Sequence, residues 1–152
     1  MISIEQVSAQ IIAILHDNGF EGAKIEYAPK FDFQSLNSLQ ILVLPSNVEE
    51  QKITRNSKHC THNISIGFGQ SLGKYYRNRK EELANHNKVT EILTSIDSLK
   101  ELLLDRQLTS ELNFATVTAV EHSPRYSTED LRTDLVFVSA LNLKIEFYED
   151  ME

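Results

Sequence analysis

Residues 134–148 read DLVFVSALNLKIEFY. Leu135, Phe137, Ser139, Leu141, Leu143, Ile145 and Phe147 share the odd positions. Val136, Val138, Ala140, Asn142, Lys144, Glu146 and Tyr148 share the even ones. Such a period of two is the signature of a β-strand with one buried face. The even face is apolar as far as Ala140 and polar from Asn142 on. An apolar even face needs a cover, either a helix, a second sheet or another copy of the chain. The abrupt change at Asn142 favours another copy, since a helix lying along the strand would cover more of it. At about 3.3 Å per residue the run reaches roughly 50 Å, twice an ordinary strand. A bend, a bulge or a hairpin projecting beyond the sheet is therefore expected.

The other elements follow from the same patterning. Residues 3–18 predict a helix: Ile4, Val7, Ile11, Ile12 and Leu15 form one stripe. Ser3 with Gln6 makes a capping box at its start, and Asn18-Gly19 a stop at its end. Residues 23–27 alternate as a short strand that Pro29 ends. Residues 39–44, LQILVL, predict a central strand closed by Pro45. Residues 46–57 are polar and predict a loop. Residues 58–68 alternate again, with Cys60, His62, Ile64, Ile66 and Phe68 on one face. Residues 69–78 predict a glycine-bearing connection. Residues 79–104 carry a long helical stripe through Leu83, Val89, Ile92, Leu93, Ile96, Leu99, Leu102 and Leu103. Asp97-Ser98 is a candidate break in it, because both residues favour caps over helix interiors. Residues 114–120 predict a strand, and residues 123–133 a turn with a short helical piece capped by Ser127.

The implied fold class is α+β: a mixed, mostly antiparallel sheet with two helices packed on it. The order is α-β-β-β-α-β-β, ending in a long strand, with residues 1–152 as one domain. That length suffices for a real core. No apolar run is long enough to span a membrane, and no secretory signal is expected. Cys60 is the single cysteine, which suits a reducing compartment.

Charge divides the chain in a way the hydropathy does not. Net charge is −7, yet residues 51–80 contain no Asp or Glu and seven cations: Lys52, Arg55, Lys58, Lys74, Arg77, Arg79 and Lys80. An acidic chain with one basic window is not built as a general or sequence-specific nucleic-acid binder. It suits pairing with itself or with an acidic partner.

Residue chemistry points away from catalysis. Gly67, Gly69 and Gly73 fit neither the phosphate-loop spacing nor the dinucleotide fingerprint, and read as a strand end and turn. Cys60 and His62 point the same way on a strand, but no further Cys or His element supplies a zinc set. Two residues along one strand is also a poor geometry for a thiol and its base. Cys60 reads as a small core residue. The expectation is no catalytic residue, no metal and no cofactor. A small ligand-binding domain or enzyme using Cys60 and His62 is the alternative. A binding module for an acidic partner through residues 74–80 (KYYRNRK) is another.

The order and spacing of several segments resemble the tail-terminator, or tail-completion, proteins of tailed bacteriophages and related minor tail and neck proteins. The segments are ISIEQVSAQIIAIL, then LQILVLP with a polar loop and Arg55, then HCTHNISIGF, then the helix through EILTSIDSLKELLL. The chain closes on Phe137, Ser139, Leu141, Leu143 and Ile145 in an F-x-S-x-L-x-L-x-I strand. The resemblance implies a structural assembly protein of the virion tail that forms a ring, by family habit a hexamer. Such a ring stops tube growth, with the tail tube protein and the head connector protein as partners. Candidate interface residues are Arg55, Lys58, Lys74, Arg77, Arg79, Lys80, Val136 and Val138.

Overall fold

The computed structural model describes residues 1–31, 38–72, 79–133 and 135–150; of 79–82, 132 and 133 it describes the backbone alone. Helix α1 (Ile4–Asp17) leads to β1 (Lys24–Ile25), β2 (Gln40–Thr54) and β3 (Ser57–Ser71). Then come α2 (Arg79–Leu103), a 3-10 turn (Ser110–Leu112), β4 (Thr116–His122), α3 (Thr128–Thr133) and β5 (Val136–Asp150). The strands form one sheet in the order β1-β2-β3-β5-β4. β1 pairs parallel to β2, and every other pair is antiparallel. The α+β class, the order of elements and the long last strand agree with the sequence pattern.

The N-terminus forms as its residues dictate. Ser3 Oγ accepts the Gln6 N–H at 3.1 Å, and Gln6 Oε1 accepts the Ser3 N–H at 2.8 Å. Two amides that would otherwise be unpaired at a helix start are thereby satisfied. Val7, Ile11, Ile14 and Leu15 then face the sheet. α2 brings Ile96, Leu99 and Leu103 to the same core, and the sheet supplies Ile64, Ile66, Phe68, Leu141, Leu143 and Ile145. Both helices thus cover the odd face of β5. Each large aliphatic or aromatic side chain buried there contributes about 1.5–3 kcal/mol. Exposed ion pairs, at about 0–1 kcal/mol each, are secondary.

Four expectations change. Residues 46–57 are not a loop: β2 runs straight through Pro45 to Thr54. Proline lacks an amide to donate, but β1 reaches only Leu42 and Val43, so Pro45 lies on a sheet edge, beside a register shift to Asn47. The segment is polar because both of its faces are exposed. The first short strand shrinks to two residues. Asp97-Ser98 does not break α2, which continues to Leu103. β5 itself carries no bulge; it pairs with β3 without interruption from Ser71↔Val136 to Ser57↔Asp150. The irregularities fall elsewhere in the sheet, in β2 where it pairs with β3 and between Val117 and Ala119 of β4.

The even face of β5 also differs from expectation. Gly67 and Gly69 lie inside β3, opposite Ala140 and Val138, instead of at a strand end and turn. A Cβ on Gly69 would meet the Phe31 ring at 2.6 Å, and one on Gly67 would meet it at 3.1 Å. The two glycines therefore open a slot in the sheet that receives an aromatic ring from the chain's own β1–β2 connection. The rest of that connection, residues 32–37, lies outside the described residues.

Candidate functional site

Among the described residues, those singled out by the sequence do not converge. Arg55 sits exposed in the two-residue turn between β2 and β3. Lys58, close by, is already engaged: its Nζ lies 3.0 Å from Glu50 Oε1 and 3.7 Å from Glu149 Oε2. Glu50 raises its pKa above the usual lysine value. Lys74 and Arg77 lie outside the described residues, and of Arg79 and Lys80 only the helical backbone is described. Val136 is buried within the chain and Val138 is half-buried, facing the side of the sheet that Phe31 occupies. Val136 is thus no open interface residue. Lys58 stands opposite Glu149 on β5, and Val138 lies about 35 Å further along that strand at about 3.3 Å per residue. Arg55 and Lys58 thus lie at the opposite end of the sheet from Val136 and Val138.

Glu149 gathers the distal end. Its Oε1 accepts the Ile2 N–H at 2.8 Å and lies 3.5 Å from the Met1 ammonium. Its Oε2 lies 3.7 Å from both Lys58 Nζ and Cys60 Sγ. Burial pushes the Glu149 carboxyl up, but the Ile2 amide, Lys58 and the ammonium outweigh it and hold the pKa below the ordinary value. The alternative centred on Cys60 and His62 meets this environment. Both residues are almost fully buried. Burial raises the Cys60 thiol and lowers the His62 imidazole. Each is driven toward its neutral form, the opposite of an activated thiolate–imidazolium pair. His62 packs edge-on against Phe147 at 4.9 Å between ring centroids. Among the described residues no three His, Cys, Asp or Glu side chains converge as a metal-holding group.

A second constellation was not legible in advance. His122 Nε2 lies 2.7 Å from Ser139 Oγ, and His122 Nδ1 lies 3.4 Å from Asp97 Oδ1. Hydroxyl, imidazole and carboxylate in a row are the parts of a hydrolytic triad. Three facts set this one apart. Ser139 is 1% exposed, so no substrate reaches its hydroxyl. Nδ1 makes no aligned hydrogen bond to Asp97. Asp97 instead receives both Arg125 guanidinium nitrogens, at 3.1 and 3.2 Å, and this pairing holds its carboxyl below the usual range.

The group works as a fastener. Ser139 Oγ donates to Pro124 O at 3.3 Å, and Ala140 N–H donates to the same oxygen at 3.0 Å. Asn142 Nδ2 donates to Ser123 O at 2.8 Å. Through Asp97 the turn after β4 is also tied to α2. The signal in the sequence was Ser139, the one polar residue among the odd positions from Leu135 to Phe147. A buried hydroxyl requires a partner, but sequence spacing does not name it.

Both buried histidines give the fold a pH dependence. Burial lowers His62 and His122 below 6.5; at His122 the nearby Arg125 lowers it further. The neutral imidazoles therefore contribute stability that is fully present above the unfolded value of about 6.5 and is lost as pH falls toward the folded values. Urea midpoints are expected to drop between pH 7.5 and pH 5, above the range where Glu149 and Asp97 titrate. His62→Leu should flatten that slope. An unchanged slope in this variant would remove His62 as a contributor.

No family model and no curated protein sequence matches this chain.

Proposed function

We propose that this protein is a structural assembly component of a bacteriophage tail, a ring-forming subunit of the tail-terminator type. The observation that carries the reading is the shape of the sheet. β2, β3 and β5 each run fifteen residues, β1 pairs only with Leu42 and Val43, and the last nine residues of β2 are exposed. A blade of this kind is suited to contacts between subunits. The order of elements, which agrees with the resemblance noted above, supports the same reading. So does the neutral, buried state of Cys60 and His62, which speaks against the enzymatic alternative.

In this reading the subunits close a ring of the family's hexameric kind at the head-proximal end of the tail. One surface meets the tail tube protein and another the head connector protein. The basic window of residues 51–80 meets the acidic remainder of a neighbour. Exposed ion pairs are individually weak, so salt should loosen the ring. Light scattering at low and high salt, with negative-stain images of the purified protein, tests this. A salt-sensitive, concentration-dependent assembly with annular particles is expected. A strict monomer at high concentration and low salt would refute it.

A further inference from the structure

We infer that the outer edge of β2 is a docking strand for the same edge of a second copy, paired antiparallel about a two-fold axis centred on Gln51. This contact goes beyond the ring proposed above and does not depend on it.

The edge is open over most of its length. β1 covers only Leu42 and Val43, and Glu26 N–H adds one bond to Val43 O. Beyond Pro45 no partner is present on that side among the described residues. Unpaired strand edges of this length are templates for another strand. Two apolar side chains are exposed on it, Val48 at 43% and Ile53 at 51%.

The length of the edge selects its partner. The other end of the sheet is β4, but its outer edge is partly taken. Leu108 N–H bonds Ala115 O, Asp105 N–H bonds Val117 O and Val117 N–H bonds Arg106 O. Only the edge of another β2 matches the open run.

Charge then selects the register. Val48, Glu50 and Lys52 stand opposite His62, Cys60 and Lys58, so all three share the helix-covered face. A two-fold axis through the sheet keeps each face on its own side, so residues of the same face must oppose one another. Centred on Gln51, Glu50 of each copy faces Lys52 of the other. Centred on residue 50, glutamate faces glutamate; centred on residue 52, lysine faces lysine. Opposed like charges across strands are destabilising and unlike charges favourable. Of these three neighbouring registers only the one at Gln51 is self-complementary. The charges that would repel an arbitrary strand admit this one.

Charge reversal tests it. Lys52 forms no ion pair among the described residues, so Lys52→Glu leaves the fold's own contacts in place; thermal unfolding checks this. Sedimentation velocity of the full chain should show two-fold association. Lys52→Glu alone should weaken it by about tenfold or more, the factor that 1.4 kcal/mol represents. Glu50→Lys alone should do the same, and because it also breaks the Glu50–Lys58 pair its thermal unfolding is measured as well. Mixed, the two variants should associate again, since each then faces the opposite charge. Association that is unchanged by Lys52→Glu, or variants that stay apart when mixed, would overturn the contact. A ring insensitive to Lys52→Glu would refute the contact and leave the ring standing. A dimer as the largest species would do the reverse.

Discussion

Gly69→Ala is expected to destabilise the protein by about 1–3 kcal/mol, the usual cost of forcing an extra methyl into a packed site. The Cβ would lie 2.7 Å from Phe31 Cγ and 2.6 Å from Cδ1. Cγ is the root of the ring, so a turn about the ring axis cannot relieve the clash, and the side chain as a whole must leave the slot. Its departure uncovers Val138 and Ala140 on the even face of β5. Phe31→Ala in the Gly69→Ala background should therefore cost much less than it does alone. Denaturant unfolding of the four proteins in this cycle gives the coupling. Additive effects would mean that the ring is not seated on Gly69. Gly67→Ala, with 3.1 Å to the ring tip, should be milder.

Glu149→Ala should have an effect of similar size, about 2–3 kcal/mol, because it removes a charged acceptor from several donors at once. The Ile2 amide and the Met1 ammonium lose their partner, and Lys58 keeps only Glu50. Glu149→Gln keeps an acceptor for the Ile2 amide and should cost about half as much, since the neutral hydrogen bond is the weaker kind. Amide exchange at Ile2 and Ser3 reports the local part of the loss. Protection at those amides that survives Glu149→Ala would show that the N-terminus is held by α1 packing and not by the carboxylate.

Much of the fold was legible from periodicity, for a physical reason. The stripe of α1, the capping box at Ser3 and the alternation of β3 and β5 are local patterns tied to burial on one face. The extension of β2 was not legible, because a strand exposed on both faces has no apolar alternation to show. Its polar residues, together with Pro45, read as a loop; only pairing with β3 makes them a strand. The slot of Gly67 and Gly69 was hidden likewise. Spacing shows two small residues two apart, but not that an aromatic ring from residue 31 fills the space. As for the candidate site, the sequence named Lys58 without Glu149, because these residues meet only through the β3–β5 register. The same holds for His122, Ser139 and Asp97, which come from three different elements.

β5 lies between β3 and β4 although it follows both along the chain. While the chain is being synthesised, the inner edge of β3 and the whole of β4 lack their neighbour until residues 136–150 emerge. α1, β1, β2 and β3 can join early, but α2 and the turn at Ser123 have no completed sheet to settle on. That stretch closes this sheet along fifteen consecutive pairs with β3, across a long sequence separation, which makes assembly slow in comparison with local structure. A nascent chain that stalls before Val136 exposes the inner edge of β3 together with the open edge of β2. During translation it is then a sheet fragment open on both sides, the form most prone to capture by a neighbouring nascent chain.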